Sequence, residues 1–382
     1  MKKVVILQRI TGDYRIPFFE RISDILQNNN ISLKVLYGQP EPGEYNIGSF
    51  NNRSIVQIKN YYLKVKSKYL AFQFPLRYVF NSNLVILQQG NRIITNHFFI
   101  ICLLILGKKV AIWGNCKQEL TSYNNHTFKP GWWWKLSKKV DHWFAYNDLT
   151  KKIVESTGFP SEKITSVNNS IDTKSERAIY NSFTDEEIGI LRVKYGLENS
   201  DIVGLFCSRL YADKRIDFLL HSIVKVKEEI SNFKFFVVGD GHEYNKILEF
   251  SKMNHKWFFS VGAQYGRDKI KYFKLSNFQL MPGLVGLHII DSFAFECPII
   301  TTVNTLHSVE IDYLKNGENG VISENSLEKY VNAIINVCKN KRLSEILKAG
   351  CIKSAQYYTI ENMAQRFADG IIKTLENDLH KM

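Results

Sequence analysis

A chain of 382 residues with 50 Lys+Arg against 37 Asp+Glu carries a formal charge of +13, and 45% of its residues are apolar. That balance excludes a disordered chain, a collagen-like repeat and a small disulfide scaffold, and the length predicts two domains with separate cores. Six cysteines without CxxC spacing read as reduced core residues of an intracellular protein, neither a disulfide nor a zinc framework.

The chain opens on MKKVVILQRI, too short in its apolar part for a signal peptide and continuous with a strand at 4–7. A loop at 8–14, a helix at 17–27 and a strand at 32–37 are expected next. Strands at 84–88 and 109–113 flank a helix candidate at 98–106, whose nine apolar residues fall short of the ~20 that span a bilayer. A Trp-rich segment at 132–146, a strand at 142–146 and a helix at 148–156 follow. Strands alternating with helices predict a parallel α/β sheet. The polar stretch 168–182 reads as a linker. A second array then begins: strands at 201–207, 233–238, 258–261, 277–281 and 298–301, with helices at 215–227, 243–252, 267–275 and 286–294 between them. A last helix is expected at 360–379, with Met363, Phe367, Ile371 and Leu375 as its apolar stripe. The fold class is α/β, two doubly wound domains at 1–175 (plus 360–382) and 176–359, with ligands expected at strand C-terminal ends.

Charge divides the chain unequally. Residues 1–175 hold 24 basic and 11 acidic side chains, residues 176–382 hold 26 of each, and no acidic residue lies between Glu44 and Glu119. A field of that sign attracts nucleic acid, an anionic membrane or a phosphorylated substrate. Residues 61–80 interleave Lys and Arg with aromatic and aliphatic residues. In 132–146, Trp133, Leu136, Val140 and Trp143 share a face at helical spacing, with Lys135, Lys138, Lys139 and His142 elsewhere. That composition suits a membrane interface, and equally a core-facing helix with a solvated basic side. No nucleic-acid-binding pattern accompanies the charge. The expectation is peripheral attachment to an anionic membrane, with tryptophans reaching the headgroup level.

Three segments carry chemistry. Ser208-Arg209-Leu210-Tyr211-Ala212-Asp213-Lys214 follows a strand and opens a helix, which sets Arg209 and Lys214 as a diphosphate clamp; solvated surface cations are the plainer reading. VVGDGHE (237–243) places Gly239 and Gly241 after a strand, where glycine allows backbone to approach a ligand or simply to turn. PGLVGLHIID (282–291) ends a strand at Gly283 and offers the amides of Leu284, Val285, Gly286 and Leu287 to phosphate or sugar. Asp291 follows, either as an acceptor for donor hydroxyls or as a surface residue of a packed helix. The histidines are dispersed without ligand spacing, so no metal is expected.

Together these segments resemble the retaining glycosyltransferases of family 4 (glycosyl transferases group 1), in which G-R-x-x-x-x-K, a strand with G-x-G, and P-S-x-x-E-G-F-G-x-x-x-x-E-A occur in this order. RITGDYRIPFFERI (9–22) and VNNSID (167–172) look like that family too. The resemblance implies a GT-B fold, two Rossmann-like domains facing each other across a cleft. It implies sugar transfer from a nucleotide-diphosphate sugar to a glycan or lipid-diphosphate-linked acceptor in bacterial surface polysaccharide assembly, without a cofactor, at the inner face of the membrane. Arg209 and Lys214 would stabilise the leaving diphosphate, with Ser208 where the family has Gly. Gly12, Asp13 and Asn115, the last near the family's histidine position, would face the cleft from the acceptor side. The family's paired acidic residues fall on Gly283 and Asp291. A scaffold without turnover and a sugar-nucleotide epimerase are the competing functions.

Overall fold

The apolar runs of the first half become strands of one sheet. The computed structural model describes residues 1–44, 54–116, 119, 120, 124, 131–303 and 307–376, the side chain of Trp132 excepted. Contacts divide the chain into two units, 1–171 with 360–382, and 172–359.

The first unit contains β1 (Lys2–Gln8), β2 (Ile31–Tyr37), β3 (Ile55–Gln57), β4 (Asn60–Val65), β5 (Lys68–Gln73), β6 (Leu84–Gln88), β7 (Lys109–Gly114), β8 (His142–Ala145) and β9 (Ile164–Ser166). Seven form a parallel sheet in the order β3-β2-β1-β6-β7-β8-β9. Helices cover both faces, which is why β1 reads KKVVILQ, a continuous apolar run instead of an alternation. β4 and β5 pair as a separate antiparallel hairpin, turned at Lys66, which takes a left-handed conformation. The helices Ile16–Asn28 and Ile360–Glu376 pack together on the sheet. There Phe367 stacks on Phe144 at 4.1 Å and meets Phe18 and Trp113 edge-on. Gly370 permits that approach, since a Cβ there would lie 2.6 Å from the Phe144 ring.

Two expectations change. The Trp-rich segment is a short helix, Trp132–Ser137, followed by strand β8. Trp113, Trp133, Trp134 and Trp143 are buried, the last two rings stacked at 5.4 Å. His142 is buried too, against Thr165. These tryptophans fill the core and do not reach a headgroup layer; the helical spacing of 133, 136, 140 and 143 ran across the end of a helix into a strand. The expected linker 168–182 is also structured. Asn168, Asn169 and Ser170 are buried, with Asn169 N–H donating to Tyr146 O at 2.6 Å. Lys174–Ser182 is a helix packed on the second unit, so the division falls at 171/172 and not at 175. Residues 377–379 of the expected last helix lie outside the described residues.

The second unit holds β10 (Ile202–Cys207), β11 (Phe233–Val238), β12 (Phe258–Ser260), β13 (Phe278–Leu280), β14 (Ile299–Thr302) and β15 (Gly320–Ser323), all parallel in the order β12-β11-β10-β13-β14-β15. Chain direction across the sheet reverses between β10 and β13. No described helix is long and apolar enough to cross a membrane.

Candidate active site

A parallel sheet that reverses its winding opens a crevice at the strand C-terminal ends, because the loops leave it in opposite directions. In the second unit that point lies beyond β10 and β13. The three segments singled out from sequence leave β10, β11 and β13, so the fold gathers them at one end of one sheet.

Ser208 to Lys214 run from β10 into a short turn, Ala212–Lys214, and the helix Ile216–Glu229. Arg209 is exposed and Lys214 is buried. The Lys214 Nζ donates to the Leu284 carbonyl at 2.5 Å, tying the β10 loop to the β13 loop. Arg215 takes a left-handed conformation, φ 58°. Its guanidinium donates to Pro282 O, Thr302 Oγ1 and Asn325 Oδ1 at 2.8–3.2 Å. Arg215 thus holds the β10, β13 and β14 ends in register, a role the sequence did not signal.

The two glycines after β11 are fixed by backbone approach. Both have φ near 150°. A Cβ on Gly239 would lie 1.9 Å from Ser208 O, and one on Gly241 would lie 2.6 Å from Leu210 O. They seat the β11 loop against the Ser208–Leu210 backbone, reinforced by Leu210 N–H to Asp240 O at 2.9 Å. Gly239 and Gly241 therefore let the β11 loop lie directly against the β10 loop.

Gly283 is constrained in the same way. A Cβ there would sit 2.1 Å from Asp213 O and 2.7–2.8 Å from Lys214 backbone carbons. No side chain fits, so the acidic residue that the resemblance aligns here is replaced by direct contact between two loops. Two amides expected to face a ligand are engaged internally: Leu284 N–H with Asp213 O at 2.9 Å, and Val285 N–H with His307 Nδ1 at 3.4 Å. Gly286 turns with φ 58° into open space, and the helix begins after Leu287, at His288–Ala294, not at Gly286.

Asp291 is buried, not a surface residue. Its Oδ2 lies 3.7 Å from Lys269 Nζ, which also meets Glu176 at 3.0 Å. Oδ1 is buried with no hydrogen-bond partner among the described residues. Burial pushes the Asp291 carboxyl up to about 6, against the pull of Lys269. On Lys269, burial opposes the charge, but Asp291 and Glu176 outweigh it and raise its pKa. His288 lies one turn before Asp291, its Nε2 3.0 Å from Ser208 Oγ and its Nδ1 4.0 Å from Asp291 Oδ2. Burial, then the charges of Lys214, Lys269 and Arg209, hold the imidazole well below its usual pKa, hence neutral at pH 7. Sequence reading missed His288, Lys269 and Glu176. His288 was findable, as a polar residue three before Asp291 at the mouth of an apolar helix.

In the first unit, Gly12 and Asp13 lie on the loop after β1, and Asn115 follows β7; parallel strands place them at the same end of that sheet. The Tyr14 ring covers Gly12, within 2.6 Å of where a Cβ would be. Asp13 is exposed and accepts from Tyr14 N–H. Asn115 O accepts from Thr150 Oγ1 at 3.1 Å. Beside them Arg15, buried, lies 5.1–6.0 Å from the rings of Tyr14, Phe18, Trp113 and Tyr146. Among the described residues no three His, Cys, Asp or Glu side chains gather as a metal site.

Residues 201–340 match the family model for glycosyl transferases group 1, a span from β10 past β15 that contains Ser208 to Lys214, Lys269, Gly283, His288 and Asp291 but not Glu176. The second unit thus carries a segment similar to the group 1 glycosyltransferases, and the two-unit architecture is the GT-B fold. A curated relative, the alpha-monoglucosyldiacylglycerol synthase of Acholeplasma laidlawii, is 23% identical over 190 residues. That match covers 48% of this chain and 46% of the relative, so the chain matches about half the relative's length. Anabaena Alr3699/HepE in complex with UDP superposes with a TM-score of 0.66 at 13% identity, over 98% of this chain and 100% of that one. The lipopolysaccharide outer core galactosyltransferase WaaB, in its apo form, gives 0.64 at 13% identity, over 98% and 99%.

Proposed function

We propose that this chain is an active retaining glycosyltransferase that moves a sugar from a nucleotide-diphosphate sugar to a glycan or lipid-diphosphate-linked acceptor in bacterial surface polysaccharide assembly. The observation that carries the reading is the pair Arg209 and Lys214 at the switch point of the second unit, with Lys214 held by the Leu284 carbonyl. In this reading the two cations neutralise the departing diphosphate without a metal or other cofactor. Asp291 accepts from a donor hydroxyl through Oδ1, the oxygen that lacks a partner. Neutral His288 positions Ser208 and the β10 loop. The leaving phosphate oxygen takes the acceptor proton on the face it departs from, so no side chain need act as base.

The UDP bound by Alr3699/HepE supports a nucleoside-diphosphate donor. The lipid named for the Acholeplasma relative and the lipopolysaccharide named for WaaB support an acceptor at a membrane. With the basic half of the chain, they support peripheral placement on the anionic inner face. The test is incubation with a panel of UDP- and GDP-sugars, with and without lipid extract, following nucleoside diphosphate release and the anomeric proton of the product by NMR. Release that depends on extract, with retained configuration, is expected. Tight nucleotide binding without release would favour the scaffold, and an altered sugar on intact nucleotide would favour the epimerase.

A further inference from the structure

The helix Ile94–Ile105 carries no charged side chain, yet among the described residues only one of its faces is covered. Phe99, Ile100 and Leu103 are buried, whereas Phe98, Ile101, Ile105 and the adjoining Leu106 are 53%, 44%, 79% and 56% exposed. A helix whose exposed side is apolar belongs in an interior or against a second apolar phase. It packs on β5, and the β4–β5 hairpin has the same character. Tyr61, Leu63 and Val65 share one face of β4 by strand alternation and are exposed, as are Phe74 and Leu76 beyond β5.

The charges among these groups have one sign. Lys59, Lys64, Lys66, Lys68 and Arg77 intersperse them, and the sequence has no acidic residue from 45 to 118. The Lys59 ammonium lies 5.0 Å from the Tyr61 ring centre. A twofold interface between copies of this surface would set the cations against themselves. An anionic bilayer offers negative headgroups over an apolar interior and matches both features.

We infer that the hairpin 60–73 and the outer face of the helix 94–105 are the surface that enters an anionic lipid bilayer. This rests on the peripheral placement proposed above and assigns it to these exposed apolar groups instead of the buried tryptophans, one of which, Trp133, lies 4.8 Å from the His97 ring of this helix. The hairpin is rooted where β1 ends: Gln73 Nε2 donates to Gln8 O at 2.9 Å and Asn60 Nδ2 to Arg9 O at 2.8 Å. That is the strand end bearing Gly12 and Asp13. Docking there sets the acceptor-side loop at headgroup depth.

The experiment is co-sedimentation with vesicles of phosphatidylglycerol in phosphatidylcholine, against phosphatidylcholine alone. Wild type is compared with Phe98→Gln/Ile105→Gln and with Leu63→Gln/Val65→Gln, thermal melts checking that each is folded. Wild type should bind the anionic vesicles, and each pair should lower partition about tenfold or more, since burial of even one of its two apolar side chains is worth that much. Hydrogen exchange in wild type should slow over 60–73 on adding anionic vesicles and not neutral ones. Wild-type binding that both folded variants retain would overturn this surface and leave peripheral placement standing. A wild type that ignores anionic vesicles would overturn both. A wild-type dimer that the variants dissolve, without vesicle binding, would assign the face to a second copy and overturn the inference. Nucleoside diphosphate release to a soluble acceptor reports on glycosyl transfer independently.

Discussion

Replacing Gly283 by alanine tests how the β10 and β13 loops are joined. The new Cβ would lie 2.1 Å from Asp213 O and 2.7–2.8 Å from the Lys214 backbone, where ordinary contact begins near 3.5 Å. Both neighbours are backbone, so the loops must part by about 1 Å. Overpacking of that kind costs about 1–3 kcal/mol. Parting also breaks Leu284 N–H to Asp213 O, worth about 0.5–1.5 kcal/mol. The sum, about 2–4 kcal/mol, should lower the melting temperature by about 5–15 °C at the 2–4 °C per kcal/mol of a unit this size. The same motion pulls the Leu284 carbonyl from Lys214, so calorimetric affinity for a nucleoside diphosphate should fall as well. A Gly283→Ala protein that melts within a degree of wild type and binds nucleotide equally would refute the argument that the loops are in direct contact.

Arg209→Ala should lower turnover about 10²-fold or more at unchanged melting temperature, because Arg209 is exposed and loss of one preorganised stabilising group has that size; near-normal rates would remove it from the clamp. Asp291 has a folded pKa of about 6 against an ordinary 3.8, so the native state binds the extra proton and stability falls as pH rises from about 4 to 6. The loss is on the order of 3 kcal/mol at 1.4 kcal/mol per pH unit, and Asp291→Asn should flatten that part of the melting-temperature profile. The same variant should weaken donor binding, and unchanged affinity would leave Asp291 a purely structural group. Trp143→Ala should cost about 3–5 kcal/mol in denaturant melts, whereas an unaltered melt would place that ring outside the core.

The sheet strands were legible wherever an apolar run was long and covered on both faces, as at 84–88 and 233–238, which the structure reproduces without shift. The hairpin 60–73 was not, because residues 61–80 mix cations with exposed apolar groups and resemble a surface segment of any conformation. The helix Lys174–Ser182 escaped for a related reason: it buries only Tyr180, so its pattern is that of a polar connection. At the site, Arg209 and Lys214 were readable from the order strand, loop, helix. The partners of Asp291 were not, since Glu176 and Lys269 are 93 residues apart in sequence and meet only through packing. Gly283 shows the opposite limit. A motif assigns it an acidic residue, and only the backbone of Asp213 and Lys214 explains why none can stand there.

The central claim is that Arg209 and Lys214 hold the diphosphate of the donor. Calorimetric titration of UDP and GDP into wild type, Arg209→Ala and Lys214→Met tests it most directly, with melts run alongside because Lys214 is buried. Wild type should bind at least one of the two nucleotides, and each folded variant should lose about tenfold or more in affinity, one charge-assisted contact being worth about 1.5–3 kcal/mol. Equal affinity in all three proteins would contradict it.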